Sequence, residues 1–416
     1  HSERGQVPDA QPGLAHALRR LVAQGNTLLV VEHDPHFVGA ADQLLALGPG
    51  AGPHGGRITH HGPLAPAPLP TAPAARPPRP GSGWLWLRGA RRHNVDTNLS
   101  LRHGALNIVM GPSGAGKSTL IFQLLLPSLR GGPPAGVTLE GAGQRAVHWI
   151  DATPLGRTPR STPATYTGLF DRVRKRFAAT PEAKAAGLGA SHFSHNHKQG
   201  RCPACEGLGV ERIGLHLLDD VERPCPVCDG GRYRPEVLSV RVNGHTIADV
   251  LQCTAPELRP VLGDDTATDR MLASLEALGL GHLQLGRSTT TLSRGEAQRV
   301  KLATVLGAAS SKASMVLLDE PDRGLHPADL ARLLRGLHAL ADAGHTVVAI
   351  SHHRHLWLAA DHLIQLVDGR AEVLDAPPPP PPAWPPPAPA TPPDHIHLVG
   401  VRTNNLQDLS VRIPDR

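Results

Sequence analysis

Three observations predict an α/β fold interrupted by a large cysteine-bearing insertion. An apolar strand, Leu106–Met110, runs into a glycine-rich turn and then a helix starting near Lys117. A second apolar strand, Met315–Leu318, ends in two carboxylates. Between them His148–Thr290 shows little regular periodicity and carries all five cysteines, four of them in two close pairs. Strand, loop and helix in that order are what phosphate binding needs.

A length of 416 residues suggests two to three domains, enough for a large core. Lys plus Arg number 42 against 36 Asp plus Glu, so the formal charge is only +6 and does not by itself announce a polyanion binder. Five Phe, five Trp and two Tyr argue against a stacking single-strand binder. No apolar run approaches the roughly 18 residues that span a bilayer, which excludes a membrane transporter unless another chain supplies the pore. No charged-then-apolar leader follows His1, so the chain reads as part of something longer, with reduced thiols in the cytoplasm.

Of the 42 prolines, twelve fall in Ala376–Pro393 and eight in Pro63–Gly83, marking two linkers. In the first segment, Thr27–His33 reads as a β-branched strand, then a helix around Phe37–Asp42, then a strand Gln43–Leu47. The pattern recurs later, with Thr346–Ile350 as the strand, Ser351-His352-His353 as the turn and Leu358–Asp361 matching Gly39–Asp42. A second echo pairs Gly89-Ala-Arg-Arg-His-Asn94 with Gly400-Val-Arg-Thr-Asn-Asn405. Two echoes at similar offsets indicate a repeated module. The expected layout is the end of one module over 1–62, a linker over 63–83, a complete module over 84–375 with an insertion over about 148–290, a linker over 376–393, and the start of a further module over 394–416. In the complete module, a helix Gly295–Leu306, the strand Met315–Leu318, a helix Pro327–Ala343 and a last strand follow the insertion.

The turn Gly111-Pro112-Ser113-Gly114-Ala115-Gly116-Lys117-Ser118, with Thr119 next, fits G-x-x-x-x-G-K-[ST]. Its glycines let successive amides curl around a phosphate, Lys117 reaches the β/γ oxygens, and the Ser118 hydroxyl ligates Mg²⁺. Asp319 is set to hold Mg²⁺ and Glu320 to polarise an attacking water; the bland alternative, a strand ending in solvated acids, loses weight beside such a loop. ATP and Mg²⁺ are the cofactors this implies. Thr291–Arg299 resembles the LSGGE-x-Q-R signature loop of ABC ATPases, with Ser293 and the amides at Gly295 forming an anion site for a phosphate bound on another module. Arg294 stands where that signature has glycine. His352 follows a strand, as His33 does one repeat earlier, and could bond a γ-phosphate; most lone histidines are surface or core polar groups. His192, His195 and His197 read as a His-rich turn.

Cys202-Pro-Ala-Cys205 and Cys225-Pro-Val-Cys228 form two knuckles whose four thiolates suit a closed, structural Zn²⁺ site. Disulfides or a redox pair are the rival reading, and knuckles of this kind also occur in DnaJ-type chaperones. Cys253 reads as a buried small residue.

With phosphate loop, signature, Asp-Glu-Pro strand and knuckles in this order, the chain resembles the UvrA family. The most specific stretches are Gly156–Ser161 with Pro163–Phe170, the Cys202–Tyr233 block and Thr291–Leu302. The complete module is similar to the family's second nucleotide-binding half, and Thr27–Arg57 to the end of its first. The resemblance implies an ABC ATPase that senses damage in duplex DNA during nucleotide excision repair, a UvrB-like partner bound through regions outside these residues, and a second ABC module in cis or in trans. It also implies a DNA surface near the zinc module, where Lys198, Arg201, Arg212 and Arg232 could reach phosphates. Arg172, Arg174, Lys175 and Arg176 read as a solvated helix face. Ala152 replaces the family's glutamine, Asp322-Arg323 a Thr-Thr pair, and Ser351 an acidic residue. Two other readings stay open: a UvrA-like resistance or regulatory ATPase that displaces DNA-bound drugs, and a zinc binding module whose ATPase has decayed.

Overall fold

The computed structural model describes residues 10–31, 38–39, 41–48, 56–63, 76–143, 145–151, 153, 155–156, 158–213, 221–262, 265–308, 313–323, 325, 327–379, 394–401 and 408–415. Two compact units emerge, one of residues 1–144, 324–331 and 346–416, the other of 145–323 and 332–345.

In the first unit, β1 (Leu44–Gly48) and β2 (Arg57–Gly62) form an antiparallel hairpin. Next come β3 (Trp84–Arg92), β4 (Val95–Arg102) and β5 (Leu106–Met110), followed by β6 (Thr138–Glu140). Strands β4, β3 and β6 make a three-stranded antiparallel sheet. All five residues of β5 are buried, as expected of a strand covered on both faces. From the second unit come β7 (Val147–Ile150), β8 (Val210–Ile213), β9 (Val221–Pro224) and β10 (Met315–Asp319). The chain ends with β11 (Thr346–Ile350), β12 (His362–Val367), β13 (Arg370–Leu374), β14 (Asp394–Val401) and β15 (Leu409–Asp415), all in the first unit. Strand β5 pairs in parallel with β11 on one side and β12 on the other, and β13 closes that edge antiparallel. After the glycine turn the chain is helical, with wide π-type turns over Thr119–Leu125 before an α-helical turn Leu126–Leu129.

The repeat offset is visible in geometry. Hairpins β3–β4 and β14–β15 carry a register shift at the same place, between Leu87 and Ala90 in one and between Leu398 and Val401 in the other. Gly89 and Gly400, inside those shifts, both have φ of 65°. A Cβ on Gly89 would also sit 2.5 Å from the Gly136 carbonyl oxygen. The other echo diverges. Thr346–Ile350 is a wholly buried strand, whereas Asn26–Val31 forms none, and its Leu29 and Val31 are 71% and 94% exposed. A parallel strand needs neighbours that offer hydrogen bonds and apolar cover; Glu32 and His33, the end of the expected strand, lie outside the described residues. Of the helix expected at Phe37–Asp42, residues 37 and 40 lie outside the described residues, and helical backbone covers Val38 and Gly39.

In the second unit β7 and β10 pair in parallel. The insertion, which has little period in sequence, contains short helices, among them Leu169–Ala178, Ile247–Gln252, Ala255–Leu262 and Thr266–Ala277. Leu169–Ala178 buries Leu169, Phe170, Val173 and Phe177 while Arg172, Lys175 and Arg176 stay exposed, an amphipathic helix with a solvated basic face. Among the described residues no helix is long and apolar enough to cross a membrane.

Candidate functional site

Strand β5 delivers Gly111 with φ of 146°, and a Cβ there would stand 2.2 Å from the Leu366 carbonyl oxygen, so only glycine fits. Gly114 and Gly116 also take positive φ, at 80° and 97°. Lys117 is almost fully buried, and its ammonium donates to the carbonyls of Gly111 at 2.9 Å and Pro112 at 2.8 Å. Asn94 donates from Nδ2 to the Gly114 carbonyl at 2.9 Å. Glycine dihedrals and the bonds from Lys117 and Asn94 to loop carbonyls together set the shape of the loop. Asn94 escaped the sequence reading as a site residue although it ends the Gly89–Asn94 echo, which was the signal that could have found it. Ser351 donates its amide to the Val109 carbonyl at 3.1 Å, which sets the turn before His352 beside the end of β5. His352 is exposed, and the Ser351 hydroxyl accepts from the His353 amide at 2.9 Å.

In the second unit, β10 ends at Asp319, whose carbonyl accepts from Gln298 Nε2 at 2.9 Å. Glu320 follows with φ of 43°, a left-handed conformation rare outside glycine, and its carboxylate meets Arg323 at 3.2 Å. Ser293 caps the helix Arg294–Gly307 in a capping box: its hydroxyl accepts from the Glu296 amide at 3.2 Å, and its own amide donates to the Glu296 carboxylate at 2.8 Å. Accepting leaves the hydroxyl proton available for an outside anion. Burial opposes ionisation of Glu296, but His282, Ser293 and Arg287 outweigh it and hold the carboxyl at about 2. The Arg294 side chain and Ala152 lie outside the described residues.

The four sulfurs of Cys202, Cys205, Cys225 and Cys228 lie within 4.8 Å of one another, and Cys205 and Cys228 are 3.7 Å apart. A tetrahedron with Zn–S of about 2.3 Å has edges of about 3.8 Å, so the spacing fits a closed zinc site. It is too long for a disulfide, and all five cysteines are free thiols. Amides of Gly209 and Arg232 donate to the Cys205 and Cys228 sulfurs, each at 3.3 Å. Burial and the facing thiols push Cys228 up to about 12, the price of crowding thiolates without a cation. A dication removes that penalty, which is the chemical reason this donor set suits one. Cys253 is half-buried.

Of the four basic residues expected at DNA, Lys198 is exposed on a turn. Arg201 is 16% exposed and pairs with Glu206 at 3.4 Å. Burial lowers the Arg232 guanidinium pKa, opposed by Tyr233 and by the sulfurs of Cys205 and Cys228, whose charge it faces. Arg212 lies on β8, its side chain outside the described residues. The His-rich turn proves structural: His195 is fully buried, its Nε2 lies 3.1 Å from the Arg160 carbonyl oxygen and its Nδ1 3.4 Å from the Tyr233 hydroxyl. Beside it an open cavity of about 520 Å³ is lined by Thr158, Arg160, Ser161, Thr165, Asn196 and Leu208, with Pro159.

No protein-family model matches the chain. It is 43% identical over 385 residues to UvrABC system protein A of Thermus thermophilus, covering 87% of this chain and 40% of that protein. It is 41% identical over 367 residues to UvrABC system protein A of Escherichia coli K12, covering 82% and 39%. Among solved structures, UvrA2 from Deinococcus radiodurans superposes with a TM-score of 0.77 at 43% identity, covering 87% of this chain and 46% of that one. The chain thus spans about two fifths of the curated relatives it matches.

Proposed function

This chain belongs to the UvrA family, an α/β ABC-type P-loop fold with an inserted cysteine module, and from that premise we propose that it is the nucleotide-driven part of a protein that recognises damaged duplex DNA. The observation that carries this is the phosphate loop: three glycines at positive φ after a buried parallel strand, with the Lys117 ammonium bonded to the loop's own carbonyls. In this reading Gly111–Thr119 hold the ATP phosphates, Ser118 and Asp319 hold Mg²⁺, Glu320 orients the attacking water, and His352 bonds the γ-phosphate. Ser293 and Gly295 serve a phosphate bound on another module, so turnover needs two modules and rises with protein concentration if chains pair in trans. Zn²⁺ on the four thiolates keeps the insertion folded, and a reduced thiol site working on DNA belongs in the cytoplasm. The shared hairpin geometry at Gly89 and Gly400 supports a chain that strings UvrA-like modules together. Lys198 is the best-placed residue to reach a DNA phosphate, while Arg201 and Arg232 balance Glu206 and the metal thiolates, and a UvrB-like partner would bind elsewhere.

The test measures ATP hydrolysis and duplex affinity together. Turnover that requires Lys117, with tighter binding to a lesion-bearing duplex than to an intact one, is the expected result. Turnover with tighter binding only to drug-loaded DNA would move the protein to ligand displacement, and absent nucleotide binding would leave a zinc module without an ATPase.

A further inference from the structure

Lys301 occupies an unusual position. It lies on the helix Arg294–Gly307, is 8% exposed, and its ammonium meets four oxygens: the Asp151 carbonyl at 3.0 Å, Asp151 Oδ1 at 2.5 Å, the Thr153 carbonyl at 2.8 Å and Thr153 Oγ1 at 3.0 Å. Three N–H protons face four acceptors, and the Thr153 hydroxyl also donates to Asp151 Oδ1 at 2.6 Å. Burial opposes ionisation of Asp151, but Lys301 and Thr153 outweigh it and hold the carboxyl below its usual range. A buried ammonium satisfied this fully fixes both segments it touches, because withdrawing it would strand a charge.

The two segments matter for what they join. Asp151 is the first residue after β7, where the chain leaves for the insertion that carries the cysteine cluster. The helix bearing Lys301 is where the chain returns, and Ser293 caps its start. Eight residues separate Ser293 from Lys301, about 12 Å of rigid helix at 1.5 Å per residue. Gln298, three residues before Lys301 and so on the same face, bonds the carbonyl of Asp319. One helix face therefore grips both the entry to the insertion and the end of the carboxylate strand.

We infer that Lys301 is a positioning residue, a clasp between the insertion's entry at Asp151–Thr153 and the helix that presents Ser293, so that a load on the insertion is transmitted to the phosphate-facing serine. The inference rests on the proposed ATPase and duplex-binding reading, which it deepens by naming how one site reports to the other. A clasp of purely structural value would change stability alone; this one sets how strongly duplex DNA changes turnover.

The test compares Lys301→Met, Lys301→Arg and Asp151→Asn in the intact protein. Measured are zinc content, ATP affinity, turnover with and without duplex, and hydrogen exchange at Thr153–Gly156 and at the start of the Arg294–Gly307 helix. Lys301→Met should keep its zinc and bind ATP within about twofold of the parent, while the ratio of turnover with DNA to turnover without falls to about 1. Lys301→Arg should restore at least half of the parental ratio. A parental ratio retained in Lys301→Met overturns the clasp. If the parent shows no turnover or no response to DNA, the proposed function fails and exchange alone decides. Faster exchange in both segments, in Lys301→Met and in Asp151→Asn alike, supports the clasp. A change confined to one segment overturns it, and so does no change in either.

Discussion

The phosphate loop and the cysteine cluster are both cradles for a charged ligand, but different forces hold them in shape. The loop is shaped by its backbone: glycine dihedrals, the Lys117 ammonium on two carbonyls and Asn94 on a third. The cluster gathers four sulfurs within 4.8 Å of one another, where burial raises Cys205 and Cys228 while the backbone amides of Val227 and Cys228 outweigh burial and lower Cys225. Amides from Gly209 and Arg232 aim at two of the sulfurs, but they cannot offset four negative charges. Backbone conformation shapes the loop, whereas the cluster brings together four sulfurs whose charge, once ionised, a dication balances.

The largest effect should therefore come from the metal. Cys205→Ala or Cys225→Ala should lose the single zinc and unfold the insertion, since structural zinc contributes on the order of 10 kcal/mol in small domains. Elemental analysis and near-ultraviolet circular dichroism would read both. Metal-free protein that keeps its insertion folded would erase the contrast.

Lys117→Ala should act on the ligand and barely on the fold. Charge-assisted bonds to phosphate are worth about 1.5–3 kcal/mol each, so nucleotide affinity should fall by about 100-fold or more. The melting curve should move little, because the loop glycines and Asn94 remain. Unfolding of the first unit would show that the lysine, and not the backbone, builds the loop.

Acid should separate the regions again. Burial lowers His195 to about 4, so the folded insertion keeps a neutral ring where the unfolded chain would protonate it at about 6.5. The folded pKa lies below the unfolded one, so this contribution is whole above about pH 6.5 and is lost as pH falls towards 4. Over that span it amounts to about 3 kcal/mol. In protein kept loaded with zinc, His195→Gln should flatten the dependence in this window; an unchanged slope would assign the acid sensitivity to other groups.

How much of this was legible in the sequence follows the same division between local and non-local causes. The loop at Gly111–Ser118 and the knuckles are set by neighbours along the chain, and residue type with spacing was enough to find them, whereas Ser293 was found through its resemblance to a signature loop. Thr27–Val31 is the counterexample. Its β-branched pattern matches Thr346–Ile350, but strand formation depends on distant partners that pattern cannot see, and Val31 stays exposed. The insertion misled in the opposite sense, because helices of four to twelve residues are too short to establish a period. Arg201 and Arg232 are DNA contacts that the family resemblance implies, and the folded chain adds what the sequence does not show, Glu206 beside one and the sulfurs beside the other. Lys301 was invisible for the same reason: its four acceptors lie about 150 residues away along the chain.

The smallest effect belongs to Asn94, and it probes the comparison most finely. Its Nδ2 donates to the Gly114 carbonyl, an exposed bond worth about 1 kcal/mol. If the loop is built by many small backbone terms, then Asn94→Ala should remove one of them and leave the rest standing. Nucleotide affinity should drop by about fivefold, the melting temperature should shift by a degree or two, and zinc content should not change. Asn94→Asp is the sharper variant, because it keeps the size while replacing a donor with a charge facing a carbonyl and a phosphate site. It should lower affinity well beyond Asn94→Ala, by a factor that shrinks as salt rises. Equal affinities for the two variants would mean that the side chain's shape rather than its hydrogen bond holds Gly114. A collapse of nucleotide binding in Asn94→Ala comparable to Lys117→Ala would mean that the loop, like the cluster, depends on a single keystone.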